Sequence, residues 1–328
     1  MHRRSVLKAL AGLPALCAHV PGRAAPAYPV RPVRVVVPFP VGNAVDIVAR
    51  ISAEVLGERY GQSFIVDNKP GAKGIIGIRY AGEQPADGYT LVGGGLGNVL
   101  PIATLRNLPI DIAATLLPIA QVAEFANVFI VRTDSPFRTI ADVVDHMRGQ
   151  PAGQLTVGAG DIGSSAHMAA MLFAQRTGLR ITHVPYRSQN EIVVNLVGAT
   201  LDVGISSVPA SLPMLRGGRI RALAITSRQR SSQLPEVPTM EESGVADDYN
   251  VSSWLGLYGI HGMPEAVLDQ LGADLPQALQ SAAIHDRIRA AGLDVSVLGP
   301  REFAEVNRSE IARWSEFARQ IGAVSDYS

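Results

Sequence analysis

The 328-residue chain has a single cysteine, Cys17, so no disulfide within the chain and no cysteine cluster can hold its fold together. Aromatic residues are scarce, at 5%, and acids and bases balance at 29 each. A neutral chain lacks the basic field that non-specific nucleic-acid binding draws on, so nucleic acid is not expected as a partner. Beyond residue 27 no apolar run approaches the roughly 18 residues of a membrane span. Neither G-x-S-x-G nor the P-loop pattern occurs. The histidines past residue 27, His146, His167, His183, His261 and His285, show no metal-ligand spacing. Catalytic residues, a metal and a cofactor are therefore not expected, and the chain does not read as an enzyme.

What is present begins with a leader. Residues 1–27 combine a basic start (Arg3, Arg4), an apolar stretch from Val6 to Val20 and a small-residue exit at Ala25-Pro26-Ala27. That is the layout of a secretory signal cleaved near Ala27. Arg3-Arg4-Ser5-Val6-Leu7-Lys8 fits a twin-arginine export signal as well as an ordinary one. The leader holds four bases and no acid, so its removal leaves 25 basic against 29 acidic side chains and a net charge of −4.

The remainder, rich in hydrophobic residues at 47% of the chain, is long enough for two ordinary domains. Short β-branched runs alternate with helical patterns: Val33 to Val37 before a helix from Asp46, Leu155 to Val157 before Ser165 to Thr177, and Asp202 to Ile205 before Ala210 to Arg216. This predicts an α/β fold with mostly parallel sheets. Pro264 and Pro300 open two further helices, expected to run to about Ser281 and Ile321. Blocks joined near Val128 to Arg132 and again near Ser231 to Val251 predict two lobes with two crossings: 28–130 plus 251–328, and 131–250. A ligand cleft at the carboxyl ends of the strands follows from that layout.

Two strand-to-helix turns are candidate anion sites, because the free N–H groups of a helix N-terminus bind anions without basic side chains. The first is Phe39-Pro40-Val41-Gly42-Asn43-Ala44-Val45, followed by Asp46, which reads either as part of the site or as the helix cap. The second, Gly158 to Ser165, contains G-x-G-x-x-G, the dinucleotide fingerprint. It lacks the acidic residue expected at the end of the next strand, which here closes on Tyr186-Arg187. Ser206 and Ser207 read either as ligand donors or as caps of the helix after them. Ser165 and His167, two apart on a helix, point to different faces and do not form a catalytic pair.

Eight motifs in order, among them Val36-Val37-Pro38-Phe39-Pro40, Asp67-Asn68-Lys69-Pro70-Gly71-Ala72, Pro85-Ala86-Asp87-Gly88-Tyr89-Thr90 and His183-Val184-Pro185-Tyr186, run from Tyr28 to Thr239, and the resemblance they carry covers residues 28–325. Together they resemble the Bug family, the TctC-like extracytoplasmic solute-binding proteins of tripartite tricarboxylate transporters. The resemblance implies a two-lobed periplasmic-binding-protein (Venus-flytrap) fold, a monomer that captures a small carboxylate and passes it to membrane permease subunits. It implies ligand contacts from Phe39 to Val45 and from Asp161, Ile162, Gly163, Ser164 and Ser165, with Ser206 and Ser207 as additions. Asp46, His167 and Tyr186 stand as supporting residues. The family's first turn carries serine and threonine where this chain has Ala44 and Val45, and its second turn a small neutral residue where this chain has Asp161. Two alternatives stand beside transport: an exported α/β enzyme using Gly158 to Gly163 for a nucleotide, and a periplasmic sensor that signals to a partner protein.

Overall fold

The computed structural model describes residues 28–151 and 155–327, and the export signal read in residues 1–27 lies outside the described residues. The first block runs β1 (Val33–Val37), α1 (Ala44–Tyr60), β2 (Phe64–Asn68), α2 (Ile75–Gly82), β3 (Thr90–Gly95) and α3 (Leu96–Thr104). Short β4 (Leu105–Arg106) and α4 (Ile112–Thr115) precede β5 (Leu116–Arg132), a strand of 17 residues. The second block is α5 (Ile140–Arg148), β6 (Thr156–Gly160), α6 (Ser165–Thr177), β7 (Thr182–Tyr186), α7 (Gln189–Val197), β8 (Val203–Ser207), α8 (Val208–Arg216) and β9 (Ile220–Ile225). Then follow β10 (Ser252–Ile260), α9 (Glu265–Ala278), α10 (Ala282–Ala290), β11 (Asp294–Leu298), α11 (Pro300–Gln320) and short β12 (Ser325–Asp326).

Each lobe has a parallel set of three strands: β2-β1-β3 in the first and β7-β6-β8 in the second. The centre is antiparallel, which corrects the expectation of mostly parallel sheets: β10 pairs with β3 and β5, and β8, β9 and β11 all pair with β5. The reason is connectivity. β5 carries the chain out of the first lobe and β10 brings it back, so the two must run in opposite directions. β5 changes sheets between Ala126, opposite Ser252, and Asn127, opposite Ser207.

The second crossing is tied to the first by one side chain. The Oγ1 of buried Thr226 accepts the Asn127 N–H at 2.9 Å, and that hydroxyl lies 2.7 Å from the Val251 carbonyl. A hydroxyl both donates and accepts, so one buried group satisfies both crossing strands.

The helix expected from Pro264 to Ser281 stops at Ala278, and a separate helix, α10, starts after Ser281. α11 lies on α3 and β5 and sends Trp314 and Phe317 into an apolar cluster that also holds Phe129, Met168 and Phe173 of the second lobe. The lobes thus share a core, with Trp254 and Tyr258 packed about 5 Å from Phe303, ring centre to ring centre. Among the described residues no helix is long and apolar enough to cross a membrane.

Candidate functional site

The carboxyl ends of β1 and β6 each run into a turn and a long helix, and the two turns are built alike. Gly42 and Gly163 adopt φ of +80° and +85°, a left-handed conformation that a side chain disfavours. The next residue caps the helix: Asn43 Oδ1 accepts the Val45 N–H at 2.9 Å, and Ser164 Oγ accepts the His167 N–H at 3.2 Å. Four residues beyond each glycine, a side chain reaches back to the glycine's own N–H. Asp46 Oδ2 accepts from Gly42 at 2.9 Å and His167 Nδ1 from Gly163 at 3.2 Å. Both helices end on a left-handed glycine, Gly61 and Gly178.

These bonds decide what each turn has to offer. In the first, the N–H groups of Ala44 and Asp46 have no partner among the described residues; in the second, those of Ser165 and Ala166 have none. Two such donors at the positive end of a helix dipole can accept an anion. Asp46 is therefore not the cap, a role that falls to Asn43. It anchors the turn from below, 2% exposed, with Arg50 Nε 3.0 Å from Oδ2 and Asn68 Nδ2 2.8 Å from Oδ1. Burial alone would raise its pKa, but the bonds from Arg50, Gly42 and Asn68 outweigh burial and hold the carboxyl below its usual range.

His167 does the same work as a neutral ring. Burial, with smaller contributions from neighbouring His183 and Lys73, lowers its pKa to about 4. The free Nδ1 lone pair can then accept the Gly163 N–H. His183 lies against it, ring centres 4.7 Å apart, and its Nε2 is 3.2 Å from the Gly160 carbonyl.

The other sequence candidates occupy defined places. Pro40, Val41 and Asn43 are exposed at the first turn, and Phe39 is half-buried against Gly74 and Gly97. Asp161 and Ile162 are exposed at the second, and the Asp161 carboxylate makes no hydrogen bond or ion pair among the described residues. Ser207 caps α8 through the Ala210 N–H, and Gln189 Oε1 takes the Ser207 N–H at 3.0 Å. Ser206 is buried, its hydroxyl turned to the Gln189 carbonyl. Tyr186 is half-buried opposite Gly160 in the β6–β7 ladder. In the G-x-G-x-x-G stretch, a side chain on Gly158 would strike Leu201 and one on Gly160 would strike the cap Ser164, at 2.3 and 2.5 Å. Packing within the chain thus accounts for both glycines without a nucleotide.

Three contributors escape sequence reading. Lys73 extends from the loop beside the first turn to donate to the Ile162 carbonyl of the second at 3.0 Å, joining the lobes. Asn98, at the start of α3, takes the Gly95 N–H on Oδ1 and buries its Nδ2 without a partner among the described residues. Asn127 gives Nδ2 to Ser165 Oγ at 3.3 Å and buries its Oδ1, likewise without one. The signal for both asparagines was a lone amide inside an apolar run, Asn98 before Val99-Leu100 and Asn127 between Ala126 and Val128-Phe129. Among the described residues no group of three acidic, histidine or cysteine side chains is placed to hold a metal.

Two α/β lobes joined by crossing strands, with helix N-termini at the strand ends, define the class of two-lobed solute-binding proteins. The family profile of the tripartite tricarboxylate transporter family receptor matches residues 48–323, and the chain belongs to that family. Protein BugT of Bordetella pertussis is 31% identical over 298 residues, covering 90% of this chain and 91% of BugT. The structure of R. palustris Rpa4515 with adipate superposes with a TM-score of 0.80 at 32% identity, over 91% of this chain and 99% of that one. MatC from Rhodopseudomonas palustris with bound malate gives 0.73 at 26% identity, over 88% and 99%.

Proposed function

We propose that this chain is a periplasmic receptor that binds a small carboxylate between its lobes and delivers it to the membrane subunits of a tripartite transporter. The observation that carries this reading is the pair of like-built turns, each with two uncommitted helix N–H groups and neither with a basic side chain of its own. Such donors are fixed before the ligand arrives, so little ordering cost offsets binding. The carboxylate bound to Rpa4515 and to MatC, relatives of the same fold, supports the ligand class. The leader at residues 1–27 supports export, with cleavage near Ala27.

On this reading the chain turns nothing over, and ligand stabilises it by mass action. A carboxylate at one hundred times its Kd adds about 2.7 kcal/mol to the unfolding free energy. Thermal unfolding of the mature chain against mono-, di- and tricarboxylates, aromatic acids and amino acids tests this. A concentration-dependent rise with at least one acid is expected. No shift with any acid, together with a shift on NAD(P), would overturn the receptor reading in favour of an enzyme.

A further inference from the structure

We propose that Asn127, in the strand that crosses between the lobes, is a ligand-binding residue whose free amide atom takes a carboxylate oxygen beside the start of α6; the inference rests on the receptor reading above. Six buried side-chain atoms lack a partner among the described residues, those of Ser52, Asn98, Gln121, Asn127, Ser211 and Trp254. A buried polar atom left unpaired costs free energy, so each needs a reason. Of these six side chains, that of Asn127 bonds a residue with an uncommitted helix N–H. Its Nδ2 lies 3.3 Å from Ser165 Oγ, and the Ser165 N–H has no partner among the described residues.

Asn127 cannot turn away to find another partner. Its N–H goes to Thr226 Oγ1 at 2.9 Å and its carbonyl accepts the Thr226 N–H at 3.0 Å, which fixes the residue where β5 changes sheets. First-lobe groups lie over the second turn: Lys73 reaches the Ile162 carbonyl, and Thr104 Oγ1 stands 2.8 Å from where a side chain on Gly163 would begin. A ligand enters with the lobes apart and is enclosed when they meet. An ionised carboxylate only accepts, so it needs donors, and Asp161, exposed at the same turn, offers none when ionised. The helix gives the Ser165 and Ala166 N–H groups, and Lys73 brings an ammonium to Ile162. Asn127 adds a further donor once its amide turns by 180°: Ser165 Oγ then donates to Oδ1, and Nδ2 is left for the ligand. The carboxylate is thereby bonded to the crossing strand itself, which links its arrival to the pivot of the lobes.

Titration calorimetry with adipate, malate, citrate, benzoate and glutamate tests this on the mature chain and on its Asn127→Leu and Asn127→Ala variants. Leucine replaces the amide with an apolar group of like shape, whereas alanine leaves a cavity. The free protein should therefore unfold at an equal or higher temperature with leucine and at a lower one with alanine. Both variants should nevertheless weaken the best-bound acid by about 10- to 100-fold, because both lack the amide. In two-dimensional amide NMR spectra the Asn127 side-chain resonance, assigned by its loss in both variants, should shift on saturation with that acid. An affinity that falls only where stability falls, or in neither variant, overturns the inference and leaves the receptor reading intact. So does an Asn127 amide resonance that stays in place. If none of the five acids binds the unaltered chain, both readings fall.

Discussion

The two turns share a backbone plan and differ in the group that holds it. Behind the first stands an ionised carboxylate, Asp46, drawing on Gly42, Arg50 and Asn68 together. Behind the second stands a neutral imidazole, His167, drawing on Gly163 alone, with its ring against His183. A carboxylate accepts several bonds at once and needs a cation to offset its burial; a neutral imidazole accepts one and needs only to stay deprotonated. The same backbone geometry is thus secured by charge in one lobe and by burial in the other. The lobes should therefore fail under different conditions.

The largest effect is expected at the first turn. Asp46→Ala leaves the Gly42 N–H, the Arg50 guanidinium and the Asn68 amide without their shared acceptor. Because Arg50 is half exposed and regains water, the cost should sit at about 3 kcal/mol, the low end for a broken buried ion pair. Urea unfolding measures it. His167→Gln, which can still offer an acceptor, should cost less than half as much, and equal costs would break the contrast between the two supports.

Acid should discriminate the turns in the opposite order. His167 is held at about 4 in the folded chain against 6.5 when free. Between those values the unfolded chain takes the proton and the folded chain does not. Stability is therefore complete above pH 6.5 and falls as the pH drops toward 4, by about 2 kcal/mol from pH 7 to pH 5. Asp46, held below its usual range, contributes fully above the ordinary carboxylate value and loses its contribution only below it. Amide hydrogen exchange at pH 5 should show the start of α6 loosened and the start of α1 intact, with the difference abolished in His167→Gln. Loosening of α1 first would reverse the assignment.

The position of both turns was legible in the sequence, because a strand running through small residues into a helix is short-range chemistry. The left-handed glycines and the caps Asn43 and Ser164 were not read from it, although glycine before a capping residue is a local signal. The helix at Ser165–Thr177 and the strand at Val33–Val37 were readable for the same reason. Asp46 was ambiguous between cap and support, because both roles use an acid in the first helical turn and only the direction of its side chain separates them. The antiparallel centre was not legible: Leu116–Arg132 reads as one long apolar run, and nothing local states that its two halves belong to different sheets. Lys73 and Asn127 were hidden for a related reason, since the residues they bond lie far along the chain.

The smallest effect concerns a side-chain bond that reaches from the first turn's flank to the second turn. Lys73 makes it from a strained backbone, at φ of +55° beside Ala72 at +47°. A left-handed residue other than glycine costs about 1 kcal/mol, while an exposed charge-assisted bond to a carbonyl returns about as much. Lys73→Met keeps the strain and loses the bond, so stability should fall by about 0.5–1 kcal/mol. Lys73→Gly loses both and should be near neutral. In each variant exchange should quicken at Ile162 and Gly163 and stay unchanged at Gly42, because among the described residues the Lys73 ammonium bonds the second turn and not the first. Faster exchange at both glycines would mean that the loop couples the two turns, and the independent failure of the lobes argued above would not hold.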